Sequence, residues 1–428
     1  MPVTSMARLR PTKDVRVPLC GLILTLMVVC PAWGGQSVPE SASQQPETQE
    51  PDQPKPAANQ TDPFSNVAEA PAAVPATGET RSWIRNFFTD NFGFRKEIMS
   101  QFDATEEGQP ASRQSLGFEV LKKFSTDTAT VASFDFQARL VRRDGYHPVL
   151  DDLDGQGRQG WSFEYDNLYL DLYNVFNPVL NGKRRARNVG RFNFRAGHFY
   201  VPFGLNLQTD THGTVLQLSN QQNFGFDQDW YTGFWGSINR HLNYDAYYLA
   251  GSGYDLKFKG QHGLAAVRLS LANKYSSQYG LEGGISLIGG ERLASEMPSG
   301  PDQGTLRRIE TERAGLDGRY KRAIPTGLLT FTGELSGGRD VPNRVFTQLY
   351  QTDYLRASRR WGLAAQYRRF EQERLGTGES IIGEFSWYFR NDVGNSNLHW
   401  IKLNVERQLK QMQGRPATLV TLQYYFYR

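Results

Sequence analysis

Arg139, Arg191, Arg195 and Arg319 fall at positions that alternation points toward one face of extended segments, and a long connection at 201–228 carries Asp210, His212 and Asp227. Fixed cations facing fixed carboxylates across water break no bonds. They set up a transverse field that orients polar solutes and biases which ions pass. The same residues also fit a plainer arrangement, ordinary cross-strand salt bridges on a wetted wall. Alternation turns Arg268, Arg313, Arg368 and Lys402 to the same face, against Asp135, Asp171, Glu282, Asp317, Glu334, Glu384 and Glu406. That near-balance predicts weak selectivity.

Bond-making chemistry finds little support. The histidines, at 147, 198, 212, 241, 262 and 399, show no His-Glu-x-x-His spacing, so no metal centre is expected. Asp152-Leu-Asp-Gly-Gln-Gly157 looks like a calcium loop, but Glu164 falls one place beyond the bidentate position, and a polar surface loop accounts for it equally well. A lipid-facing hydrolase would need Ser and His on neighbouring strands, and His198 points outward by this register, which leaves that class open. Cys20 and Cys30 are the only cysteines and no Cys-x-x-Cys-His occurs, so the chain holds no c-type haem of its own. No enzyme activity and no cofactor are expected.

The elements that must position the charged residues are strands. In Leu419-Val-Thr-Leu-Gln-Tyr-Tyr-Phe-Tyr-Arg428, Val420, Leu422, Tyr424 and Phe426 share one face and Thr421, Gln423 and Tyr425 the other. Ala132, Phe134, Phe136, Ala138 and Leu140 alternate with Ser133, Asp135, Gln137 and Arg139 in the same way, and Phe192 and Phe194 with Arg191, Asn193 and Arg195. Segments of this kind lie near 115–124, 129–142, 162–173, 190–200, 229–238, 243–251, 263–273, 280–288, 313–322, 327–335, 345–354, 360–370, 379–389, 398–407 and 418–427. Residues 92–104 supply one more. No stretch beyond the N-terminal leader is apolar enough for a membrane helix, and in hydrocarbon only helices or closed sheets pair every backbone group. The expected fold is therefore all-β: a transmembrane antiparallel up-and-down β-barrel of about 16 strands, a size that encloses an aqueous lumen. With the last strand running toward the periplasm, the long segments 143–161, 201–228 and 289–312 fall outside and the short turns 125–128, 239–242 and 323–326 inside. Asn174 to Val189 is long for a periplasmic turn. Leu205, Val215, Leu216 and Leu218 are the residues that would pin the 201–228 loop against the wall.

Upstream, Arg8, Arg10, Lys13 and Arg16 precede the apolar run Pro18 to Val29 and Ala32-Trp33-Gly34, the layout of a cleaved signal peptide over 1–34. Val29 before Cys30 is too large for a usual lipobox. Residues 35–80, rich in Pro, Gln, Ala and Glu, read as a disordered periplasmic linker. Residues 81–114 read as a helix or a first strand, and 115–428 as the barrel. Formal charge is +4 overall, but the leader is basic and the linker acidic, which leaves +7 from Arg81 onward and points to a weak anion preference.

Gly197-His-Phe-Tyr-Val-Pro-Phe-Gly204, followed by Thr209-Asp210-Thr211, resembles the strand-and-loop motif of the phosphate-selective porin superfamily, and the pattern from about 115 to 428 is similar to it. The resemblance implies a sixteen-stranded, typically trimeric, anion-conducting barrel of the bacterial outer membrane. Phosphate-selective members line their constriction with Arg and Lys, whereas this chain has neither between Arg195 and Arg240, so the resemblance extends to the general family and not to phosphate specificity. The aromatic-rich terminal strand also resembles the insertion signal of outer-membrane proteins, with Arg428 following the aromatics. The function expected is a porin passing ions and small hydrophilic solutes or anions down their gradients, embedded in outer-membrane lipids, as a homotrimer, without nucleic acid. The alternative is a scaffold barrel, closed by its own loop or sheathing an electron-transfer partner that brings its own haem.

Overall fold

The computed structural model describes residues 91–106, 110–126, 129–145, 160–176, 190–205, 228–239, 241–251, 263–271, 279–295, 306–373, 376–392, 397–411 and 416–428. The signal peptide, the linker, the calcium-like segment 152–157, and Asp210, His212 and Asp227 lie outside these residues.

Sixteen strands follow one another: β1 (Phe92–Thr105), β2 (Ala111–Thr126), β3 (Ala129–Asp144), β4 (Gly160–Leu172), β5 (Asn193–Tyr200), β6 (Gln228–Asn239), β7 (Leu242–Leu249), β8 (Gly263–Leu271), β9 (Tyr279–Ser295), β10 (Leu306–Ile324), β11 (Gly327–Asp340), β12 (Asn343–Arg356), β13 (Trp361–Gln372), β14 (Gly376–Asp392), β15 (Asn397–Lys410) and β16 (Thr418–Tyr427). Each pairs antiparallel with its neighbours in sequence, and β1 closes on β16 in the register Glu97↔Tyr427 to Thr105↔Leu419. Closure leaves no sheet edge, which is what a bilayer demands of a β structure. The barrel begins at Phe92, so of the two readings of residues 81–114 the strand is the one observed for 92–105.

The side-chain period decides which residues meet lipid. In β16, Leu422 is 46 % exposed while Thr421 and Gln423 are 4 % and 1 %. Leu422 faces out between Phe102 of β1 and Leu403 of β15, which are exposed in the same way. Leu140, Phe163, Leu269, Ile285, Leu316, Phe331, Leu363 and Phe385 continue the apolar belt around the barrel. Residues this apolar and this open to solvent belong in hydrocarbon.

Strand ends move by a few residues at many places, and two of the differences change the reading. β9 and β10 run on to Ser295 and from Leu306, so the connection read as 289–312 is only 296–305. Arg308-Ile-Glu-Thr-Glu312 alternates no apolar face, because this part of the hairpin stands beyond the membrane, where the ladder needs no oily side. Its pairing continues regardless, through Glu291↔Glu310 to Ser295↔Leu306, with Arg308 ion-paired to Glu291. β5 starts at Asn193 and not at 190, since the ladder with β4 ends at Leu172↔Phe194.

Candidate pore and its lining

The connection after β5 turns into the barrel. Val201, Phe203 and Leu205 are fully buried. Gly204 stands at φ +62° and donates its amide to Ser286 Oγ of β9 at 2.9 Å. A Cβ built on Gly204 would lie 2.5 Å from Glu334 Oε1 of β11, and one on Gly315 of β10 would lie 2.7 Å from the Phe203 ring. β5 itself sits between β4 and β6, so to reach β9, β10 and β11 the chain must pass inside the wall, skipping β6 to β8. Phe203 is seated over a row of small residues, Ser286, Gly315 and Ser336, which the register places side by side. An αL glycine is required at the apex because an ordinary residue would carry both backbone strain and a clash. Of the residues expected to pin this loop, Leu205 is buried; Val215, Leu216 and Leu218 lie outside the described residues.

The inner wall beside the loop is not uniformly wet. Tyr169, Phe199, Tyr231, Tyr247, Leu249, Leu264, Ala266 and Ile288 form one apolar cluster with Val201 and Phe203. Alternation reports parity but not polarity: these side chains occupy inward positions in short strands whose outward positions are equally apolar, so the sequence shows no contrast there.

The charged wall is a set of ion pairs. Arg195 is held by Asp171 on β4 through two bonds of 2.7 Å, and its guanidinium lies 4.3 Å from the Tyr169 ring centre and 4.5 Å from that of Phe199. Arg139 bridges Glu97 of β1 at 3.2 Å and Asp166 of β4. A bulge in β4, where the β3 register slips between Phe136 and Ala138, turns both Asp166 and Asn167 inward and makes that contact. Arg319 pairs with Glu282 at 2.7 Å, Arg268 with Asp317 at 2.6 Å, Arg313 with Asp340 at 2.6 Å, Arg368 with Glu406 at 2.7 Å and Lys402 with Glu384 at 3.2 Å.

Arg191 departs from its expected place. It lies in a turn before β5, exposed, rather than on the inner face of a strand. There the Gly190 carbonyl accepts the Ser237 amide at 2.9 Å and the Arg191 carbonyl accepts the Tyr244 hydroxyl at 2.7 Å, so the backbone is tied to β6 and β7 after β4 has ended. His198 points outward as expected, packed against Tyr165 and Trp230 with ring centres 4.8 and 5.4 Å away. Asp229, at the start of β6, accepts the Trp230 and Gly251 amides at 2.8 and 2.6 Å.

Sequence reasoning missed part of this network: Glu97, Asp166, Arg292 and Asp340, and the Arg95–Glu119 and Arg143–Glu164 pairs at 3.0 and 2.5 Å. Extending each strand by its own parity would have reached all but Asp166 and Glu164, since the bulge turns Asp166 inward and puts Glu164, on its far side, out of phase with Asp171.

No family model matches the sequence, and no curated protein matches it. Solved structures do. The high-pH structure of Pseudomonas putida OprB aligns with a TM-score of 0.53 at 9% identity, over 81% of this chain and 96% of that one. An anion-selective porin from Comamonas acidovorans gives 0.49 at 9% identity over 79% and 98%, and OmpF of Salmonella typhi 0.48 at 10% identity over 79% and 97%. At such identities the likeness is one of fold. This chain folds as the closed sixteen-stranded barrel of outer-membrane porins, and its apolar belt places it in the bacterial outer membrane.

Proposed function

We propose that this barrel is a passive porin whose bore carries ions and small hydrophilic solutes, with its constriction formed where the connection after β5 enters the lumen. The observation that carries the reading is the contact of Phe203 and Gly204 with Gly315, Ser286 and Glu334, which narrows the bore from within without closing the sheet around it. Arg139, Arg195 and Arg319 line the wall beside it, and Asp210, His212 and Asp227 are the loop residues proposed to face them. Arg191, in its turn, has no part in the constriction.

Selectivity is weak on this reading, because each of those wall arginines is already neutralised by a carboxylate at ion-pair distance. The anion preference suggested by net charge finds no surplus of cations on the described wall, where Asp245 and Asp353 point inward without an ion pair. The phosphate-selective superfamily remains a general resemblance, and a homotrimer is the proposed assembly.

Stable conductance steps in planar bilayers are the expected result, with reversal potentials in a salt gradient near zero. Silent bilayers from folded protein favour the scaffold barrel instead, for which the apolar cluster inside the wall is the supporting observation. Arg195→Ala is expected to shift the reversal potential toward cations, since it exposes Asp171, while Arg191→Ala leaves it unchanged.

A further inference from the structure

The barrel's two rims differ in how their exposed arginines are paired. At the rim reached by the ends of β10, β12 and β14, Arg322 and Arg356 face outward by register, and Arg360 and Arg390 are likewise exposed. Arg359 completes the group in the turn between β12 and β13. Among the described residues none of the five makes an ion pair. At the other rim four of the outward arginines are matched, Arg142 with Asp144, Arg308 with Glu291, Arg339 with Glu312 and Arg369 with Glu371, while Arg344 and Arg407 are exposed with no ion pair among the described residues.

The five unmatched arginines sit one rung beyond an aromatic belt. Tyr320, Trp387 and Phe389 are exposed on the outer face, and Tyr354 donates its hydroxyl to the Thr326 carbonyl at 2.9 Å. Arg356 lies 5.5 Å from the Trp361 ring. Aromatic rings of this kind settle at the glycerol level of a bilayer, so side chains one step further out reach the phosphates. Arg359 adds an independent sign: it holds φ 54°, a conformation in which glycine or asparagine would carry less strain, yet the chain keeps a cation there.

We infer that this rim is a docking surface for anionic glycerophospholipid headgroups in the periplasmic leaflet, with Arg322, Arg356, Arg359, Arg360 and Arg390 binding their phosphates. The short connections from β2 to β3, β6 to β7 and β10 to β11 belong to this end, which assigns it to the periplasm. Guanidinium groups grip phosphate through paired N–H donors, and unlike the matched arginines of the other rim these have no protein carboxylate to displace. The surface accounts for basic surplus that the bore does not use.

The test is the association of spin-labelled phosphatidylglycerol, relative to spin-labelled phosphatidylcholine, with the full-length mature protein in phosphatidylcholine vesicles. A preference for phosphatidylglycerol is expected, falling roughly fivefold for each arginine neutralised in the series Arg322→Gln, Arg356→Gln, Arg360→Gln and Arg390→Gln. The matched set Arg142→Gln, Arg308→Gln, Arg339→Gln and Arg369→Gln should keep it. No preference in the unaltered protein, or equal loss in both sets, overturns the inference. Inorganic phosphate at the ionic strength of a chloride control separates a lipid site from a soluble-anion site: equal preference in both salts is expected, and selective displacement by phosphate would overturn it. Should the fourfold variant not fold, Arg→Lys at the same positions must retain a preference that salt removes; its absence is equally fatal.

Discussion

Replacing Gly204 by alanine should widen the channel without harming the barrel. The new methyl group would lie 2.5 Å from Glu334 Oε1, and its residue would have to hold φ +62°. Left-handed backbone costs an alanine roughly 1–2 kcal/mol. The loop relieves both by backing away from β11, and in doing so it withdraws Phe203, whose side chain is completely buried. Losing that burial costs about 1.5–3 kcal/mol. Together the docked state is weakened by roughly 2.5–5 kcal/mol, or about two to four decades in the ratio of docked to undocked loop. Gly315→Val attacks the same seat from the wall, because a Cβ there meets the Phe203 ring at 2.7 Å. Neither change touches the ladder of the outer belt, so both proteins should keep the heat-dependent electrophoretic mobility of a folded barrel. Single-channel recordings should show larger and noisier conductance steps in both variants. Unaltered conductance in both, with the barrel folded, would refute the reasoning that this contact sets the bore.

Three further outcomes follow from other parts of the wall. Leu422→Arg puts a charge in the outer belt between Phe102 and Leu403 and should destabilise the protein in vesicles by about 2–4 kcal/mol, whereas Thr421→Ala, one residue away but inward, loses only its bond to Asp103 and costs about 1 kcal/mol. Urea titrations showing the reverse order would invert the assigned faces. Asp317→Ala strands the buried Arg268 guanidinium and should lower stability by about 3 kcal/mol, the lower end of the range for a broken buried pair, since Asp245 stands across from Arg268 in the register of β7 and β8. A smaller loss than for Thr421→Ala would show that the pair is solvated. Arg359→Gly relieves the left-handed strain at φ 54° and should raise the urea midpoint in detergent by an amount equivalent to roughly 1 kcal/mol; a lowered midpoint would locate a stabilising contact at that side chain.

Strands were legible wherever one face meets lipid and the other meets water. The period of two survives single substitutions, and turns rich in Gly, Asn, Asp and Pro punctuate it, so β2 to β4 and β11 to β16 could be read to within a few residues. Legibility failed where that contrast vanished. Arg308 to Glu312 is polar on both faces and looked like loop, though it is paired strand. Tyr231, Tyr247, Leu249 and Leu264 are apolar on a face expected to be wet, because they pack beneath the incoming Val201–Leu205 segment. The inward direction of Arg139, Arg195 and Asp171 was readable from parity alone, but the partners of Arg139 were missed: Glu97 lies in β1, whose parity was not followed, and Asp166 in a bulge.

Sequence alone determined the class of structure, a barrel of about sixteen strands and the face on which most of the wall charges lie, since these follow from local alternation and from the need to pair every backbone group in hydrocarbon. Tertiary structure decided what the charges do. Whether an inward arginine is a free element of a field or one half of a salt bridge depends on register between strands far apart in sequence, as with Arg268 and Asp317, and on a bulge that turns one aspartate inward. The same holds for the loop: Phe203 and Gly204 acquire meaning only when closure of the barrel brings Ser286, Gly315 and Glu334 within their reach.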